Sequence, residues 1–213
     1  MSDIKLVLLS CCAPCSAGAI RQLAGGADLP LQNGETVRIS DGIVLFYNPN
    51  IFPESEYQKR LAEQIRLCDE LGVKYAVVGA ENYEKEHLKW RGCVRGLESE
   101  PERGKRCSEC FQMRFETGAK WARDHGYNAI ASVFGVSRWK NQAQVDAAAE
   151  SVVGQPCPKV AFSMVVLGQT DPTRIVYLPI RWDESIRVAA NRDSNFYRQN
   201  YCGCEFSIRK SNH

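Results

Sequence analysis

The sequence predicts an α/β protein with a mostly parallel sheet flanked by helices. Residues 4–10 and 43–47 are short, nearly continuous apolar runs, the pattern of strands buried on both faces. A segment of helical period follows each of them, and a third apolar run at 74–78 completes a β-α-β-α-β start. No repeat or low-complexity stretch interrupts this alternation across 213 residues, a length that one core can serve, so a single α/β domain spanning 1–213 is expected.

In order, the first strand (4–10) runs directly into Cys11-Cys12-Ala13-Pro14-Cys15. Pro14 suits the first turn of a helix, where a missing N–H is no loss, and residues 16–23 continue as a short helix. Three thiols therefore stand where a strand hands over to a helix N-terminus, outside a strand's carboxyl end, where open α/β sheets bind ligands. The helix dipole favours the thiolate there, the form that binds metal or attacks. Residues 24–42 are rich in glycine, with a hairpin expected at Asn33-Gly34. The second strand (43–47) ends in Asn48-Pro49-Asn50-Ile51-Phe52-Pro53. Residues 54–71 form a helix with Tyr57, Leu61, Ile65, Cys68 and Leu71 on one face, stopped by Gly72; Cys68 is read as core.

Charges of both signs nearly cancel over residues 81–105, which read as a solvated lid or helix pair around Trp90 and Cys93. Arg106-Cys107-Ser108-Glu109-Cys110-Phe111 leads into a helix at 111–125. A strand at 129–134, a polar turn at 135–141, a helix at 141–152 and strands at 160–167 and 175–178 around a turn at 168–172 follow. A C-terminal segment from about residue 180 is expected to pack on the metal site; it is rich in Arg, Asn and Tyr and ends in Cys202-Gly203-Cys204. His87, His125 and His213 are assigned no role.

Composition excludes more than it selects. With 44% hydrophobic and 24% charged residues, the chain reads as an ordinary globular protein. No run has the apolar length of a membrane span and no leader is recognisable, so no membrane partner and a cytoplasmic location are expected. A net charge of +2 says little about partners. Ten cysteines in that compartment point to metal or redox chemistry, because disulfides seldom persist there.

Spacing narrows that chemistry. In Cys107-x-x-Cys110 the two thiols can face one centre, which suits zinc, an iron–sulfur cluster or a dithiol redox pair. Cys11-Cys12 adds two thiolates, and an adjacent pair departs from the zinc-ribbon pattern, favouring iron–sulfur over structural zinc. A disulfide across Cys202-Gly203-Cys204 would close a small strained ring, the reducible kind.

Taken together, Cys11-Cys12-Ala13-Pro14, Tyr47-Asn48-Pro49-Asn50-Ile51 with Pro53, Glu56-Tyr57 and Arg60, Arg106-Cys107-Ser108-Glu109-Cys110-Phe111 with Arg114, and Phe196 to Cys204 with Ser207 resemble the epoxyqueuosine reductases of the QueH type over nearly the whole chain. The resemblance implies a Rossmann-like fold related to adenine-nucleotide hydrolases and PP-loop enzymes, with helices added around a metal site. It implies reductive removal of the epoxide oxygen of epoxyqueuosine at the tRNA wobble position, the last step of queuosine synthesis. It further implies a [4Fe-4S] cluster on Cys11, Cys12, Cys107 and Cys110, a redox-active disulfide of Cys202 and Cys204, and a single iron beside the cluster. Where many members carry Asp as the protein ligand of that iron, this chain has Cys15, expected to take its place. The family's Ser-Pro-Tyr-Lys-like turn is Ser137-Arg138-Trp139-Lys140 here. Tyr47, Asn48, Asn50 and Tyr57 are candidate nucleoside contacts, and Arg198 and Gln199 candidate contacts to phosphate or base of the tRNA. An electron donor is required, and the sequence does not identify it. Two rivals remain. A cluster-dependent tRNA thiolase of PP-loop type would need a Ser-Gly-Gly-x-Asp-Ser-like phosphate loop where Cys11-Cys12-Ala13-Pro14 stands, and a non-catalytic RNA-binding module would hold zinc.

Overall fold

Leu6, Val7, Leu8 and Leu9 are each at most 2% exposed, so the first strand is walled in on both faces and both edges. The computed structural model describes residues 3–26, 28–137, 140–153, 174–182, 195–197 and 199–208. In chain order the elements are β1 (Lys5–Ser10), α1 (Ala13–Ala24), a hairpin of β2 (Leu29–Pro30) and β3 (Thr36–Val37), β4 (Asp41–Phe46), α2 (Glu54–Glu70), β5 (Lys74–Val77), α3 (Tyr83–Cys93), α4 (Lys105–Asp124), β6 (Ala129–Ser132), α5 (Gln142–Val153) and β7 (Val176–Tyr177). The expected strand at 160–167, the turn at 168–172, Arg138, Trp139, Arg198 and His213 lie outside the described residues.

Five strands form one parallel sheet in the order β5-β4-β1-β6-β7. The chain winds outward from β1 through β4 to β5, then returns to the other side of β1 for β6 and β7. Such a reversal leaves a crevice at the carboxyl ends of the two diverging strands, here β1 and β6. The cysteines after β1 stand at that switch point. The expected Rossmann-like architecture is therefore present. Among the described residues, no helix is long and apolar enough to cross a membrane.

Several boundaries differ from expectation for physical reasons. Helix α1 begins at Ala13, because Cys12 is extended and serves as its cap, which puts Cys15 inside the first turn. Helix α4 begins at Lys105 rather than 111, so Cys107 and Cys110 sit three apart on one helical face. Strand β4 starts at Asp41, whose pairing with Lys5 extends the ladder, and Lys74 Nζ lies 2.8 Å from Asp41 Oδ1. The segment 81–105 is not a solvated lid throughout. Tyr83, His87, Trp90 and Val94 recur at helical spacing and are buried, while Glu84, Lys85, Leu88 and Lys89 face outward. Near-neutral charge hid this amphipathic face.

Candidate metal centre

The Sγ atoms of Cys11, Cys12 and Cys15 all lie within 4.8 Å of one another. Local structure dictates this: β1 ends at Ser10, Cys12 turns the chain, and the Cys15 N–H closes the first helical turn onto Cys12 O at 3.2 Å. Gln64 of α2 ties the turn from behind, its Oε1 accepting from Ser10 Oγ at 2.6 Å and Ser16 Oγ at 3.0 Å. Hydrogen bonds from Cys12 and then Cys15 hold the Cys11 thiol well below its ordinary range against the cost of burial. In return the bond to Cys11 pushes Cys12 up to about 12, and bonds to Cys11 and Cys12 push Cys15 up. Three crowded thiols cannot all ionise without a cation, and a bound metal supplies that charge.

Cys107 and Cys110 reach the same edge from α4. They line a pocket with Asn50, Trp90, Arg106, Arg114, Lys140, Cys202 and Cys204, and burial raises the Cys107 thiol. One turn beyond Cys110 stands Arg114, 1% exposed. Its Nε donates to Tyr47 O at 3.2 Å, its Nη2 donates to Asn48 Oδ1, and its guanidinium lies 3.6 Å from the Phe134 ring centroid. These partners are neutral. Burial works against the Arg114 charge, and Cys110, Cys11 and Cys12 are the anionic groups that support it. A second buried cation, Arg60, lies 2.7 Å from Glu56, donates to Tyr201 O at 3.3 Å, and acts electrostatically on Cys12. The two cysteine pairs therefore share a positively charged, low-dielectric surround, as a multiply anionic thiolate centre requires.

The C-terminal segment covers this edge. Phe52 N–H donates to Gly203 O at 3.0 Å, and Ile51 and Cys204 form an isolated antiparallel bridge. Gly203 has φ +97°, and a Cβ there would stand 2.8 Å from Arg60 Nη1, so only glycine fits between the two cysteines. Cys202 and Cys204 are free thiols in this structure. A hydrogen bond from Cys204 lowers Cys202 to about 6, with Lys140 adding a smaller pull, while Cys204 is pushed far up by its bond to Cys202.

The other sequence candidates divide. Asn50 reaches the pocket, and its Oδ1 is buried without a partner among the described residues. Asn48 does not present a free amide: its Nδ2 donates to Ser10 O at 2.9 Å while its Oδ1 accepts from Arg114, so it braces the site. Tyr47 is 2% exposed and donates to Glu86 Oε2 at 2.8 Å. Tyr57, also 2% exposed, packs against Phe46 and Tyr83 at centroid distances of 5.5 and 5.0 Å. None of these three side chains lines the pocket. Gln199 is half-buried and Arg198 lies outside the described residues. Sequence reasoning gave no role to Arg60, Gln64, Trp90, Arg114 or Lys140. The available signals were the place of Arg60 and Arg114 in the family resemblance and spacing, Arg114 falling four residues after Cys110 on the same helix face.

Comparison with known proteins bears on this site. The family model described as Epoxyqueuosine reductase QueH matches residues 6–210. An epoxyqueuosine reductase QueH of Histophilus somni is 32% identical over 213 residues, covering 98% of this chain and 74% of its own. That of Acinetobacter baylyi is 32% identical over 212 residues, covering 98% and 82%. Among solved structures, the U34-tRNA thiolase NcsA from Methanococcus maripaludis with its [4Fe-4S] cluster superposes with a TM-score of 0.56 at 14% identity, covering 98% of this chain and 63% of that chain; the likeness is one of fold.

Proposed function

We propose, from the premise that this chain belongs to the epoxyqueuosine reductase QueH family, that it reductively deoxygenates epoxyqueuosine to queuosine in tRNA, using a [4Fe-4S] cluster on Cys11, Cys12, Cys107 and Cys110. The observation that carries this reading is the position of Arg114, a buried cation bonded to neutral Tyr47 O and Asn48 Oδ1 whose charge is supported by thiols from both cysteine pairs, Cys110, Cys11 and Cys12. Soft thiolates are the donor set iron–sulfur clusters take, and the cationic surround offsets their charge, so these residues fit the group. When bound, the cluster supplies single electrons to a buried site.

The chain's own residues do the rest. Overall, the epoxide takes up two electrons and two protons, both carbon–oxygen bonds break, and an alkene and water leave. Lys140 holds a positive charge in the pocket beside Cys107, Cys110 and Cys202, its Nζ 5.1 Å from the Phe134 ring centroid, where it favours negative charge developing on a departing oxygen. Cys202 stands in the same pocket as the readily ionised member of a dithiol with Cys204, a pair that gives up two electrons and two protons when it closes an S–S bond and is returned to two thiols by the electron donor. Cys15, beside the strand-end ligands, is the chain's donor for a second metal ion. The tRNA and an electron donor of unidentified class are the partners, the cytoplasm is the expected compartment, and residues 1–213 act as one catalytic domain.

Anaerobically purified protein tests this. It is expected to be brown, with four sulfides and four cluster irons per chain besides the second metal ion, and to convert epoxyqueuosine in tRNA when supplied with a low-potential one-electron reductant. Cys12→Ser and Cys107→Ser are each expected to bleach the protein. A colourless protein carrying one zinc would favour the RNA-binding module, and ATP-dependent sulfur transfer would favour a thiolase.

A further inference from the structure

Among the described residues, three buried polar atoms on the pocket lining have no hydrogen-bond partner: Asn50 Oδ1, Trp90 Nε1 and Arg106 Nε. Their residues are 5%, 0% and 2% exposed. A buried polar group left without a hydrogen bond costs about 1–3 kcal/mol, and native proteins keep few. Arg106 has another task, since its Nη1 donates to Glu98 O at 2.8 Å and to Glu100 O, holding the chain ahead of α4. Asn50 and Trp90 have no such explanation. Neither can turn away at will. The Trp90 ring is stacked between His87 and Phe206 at centroid distances of 5.4 and 5.7 Å, and Asn50 precedes Ile51, which is bridged to Cys204.

The two atoms are opposite in kind: the amide oxygen only accepts and the indole N–H only donates. Their surroundings limit what can satisfy both. The lining sets three cations, Arg106, Arg114 and Lys140, against one carboxylate, Glu102, which disfavours an ammonium group, and a carboxylate would suit the cations but be repelled by Asn50 Oδ1. A neutral hydroxyl both donates and accepts. We propose that Asn50 and Trp90 form a hydroxyl-binding pair, and that it takes the hydroxylated, non-aromatic ring of the substrate, Asn50 accepting from one hydroxyl and Trp90 donating to it or its neighbour. This deepens the reading of the substrate as an epoxide in tRNA and rests on it. It assigns Trp90, in a segment whose charge pattern reads as solvated, to substrate recognition.

Two measurements on the holoprotein test the pair. Asn50→Ala removes the acceptor, and Trp90→Phe removes the N–H while keeping a stacked ring. Each is expected to lower kcat/KM on epoxyqueuosine-containing tRNA roughly three- to tenfold, the effect of one neutral hydrogen bond, with the cluster absorbance retained. In ligand-observed NMR, cis-cyclopentane-1,2-diol is expected to bind wild type better than its dimethyl ether, which cannot donate, and to lose that advantage in both variants. Equal binding of diol and ether, or an unchanged diol affinity in both variants, would overturn the proposal and leave the pair as a water site. Wild type that binds the diol selectively but fails to turn over the tRNA would sink the enzymatic reading while upholding the pair.

Discussion

Arg114 donates through Nη2 to Asn48 Oδ1, and the same Asn48 amide donates through Nδ2 to Ser10 O at 2.9 Å. One short chain of hydrogen bonds thereby links the helix that carries Cys107 and Cys110 to the strand end that carries Cys11 and Cys12. It also fixes a positive charge between them.

Replacing that cation has a signed consequence. Arg114→Met keeps much of the volume but strips Asn48 Oδ1 of its charged partner and leaves the thiolates uncompensated. A loss of about 3 kcal/mol is expected, as for breaking a buried charge pair, seen as a lower Tm. Reduction adds negative charge to the centre, so removing the cation is expected to make its midpoint potential more negative in a spectroscopic redox titration. An intact cluster with an unshifted potential would place Arg114 away from it.

Cys202 and Cys204 are expected to separate in a titration. Cys202 is lowered to about 6, so its thiolate forms as pH rises through that value, and alkylation should level off by about pH 7. Cys204 is raised, so it should lag throughout. Cys204→Ala removes the stabilising hydrogen bond and should move the Cys202 profile upward, toward the ordinary thiol value of about 8.5. Mass spectrometry of alkylated peptides reads both. Cys202→Ser and Cys204→Ser should keep the cluster and lose turnover, and wild-type rates in both would make the pair incidental.

Cys15 separates a ligand from a packing residue. If it holds a second metal, Cys15→Ala should lose that metal while keeping the four-iron content, and Cys15→Asp should retain the metal and part of the activity, since either thiolate or carboxylate can bind iron(II). Elemental analysis with turnover decides. Equal metal content and rates in wild type and Cys15→Ala would return Cys15 to the core.

Secondary structure was most legible where burial is total. The apolar run at 4–10 and the stripe on 54–71 correspond to β1 and α2, because continuous or periodic hydrophobicity reports the faces an element must bury. It was least legible where polar residues are buried. On α2 the stripe was read from Tyr57, Leu61 and Cys68, yet Glu56, Arg60 and Gln64 are also buried there and do the bracing. Hydrophobic pattern cannot announce a buried arginine such as Arg60, whose charge is met by Glu56 four residues earlier on the same helix and by Cys12 from the end of β1.

The sequence by itself determined the alternation of strands and helices, the cysteines at a strand end and helix start, and the spacings that carry the family resemblance, since all of these are local. Only the tertiary structure decided that Arg114 serves both cysteine pairs, that Asn48 braces while Asn50 faces the pocket, and that Trp90 lies beneath the C-terminal segment. Each of those depends on residues far apart in the chain being brought together by the sheet order β5-β4-β1-β6-β7. A charge or an amide takes its role from what ends up beside it, and that is set by long-range packing rather than by neighbours in sequence.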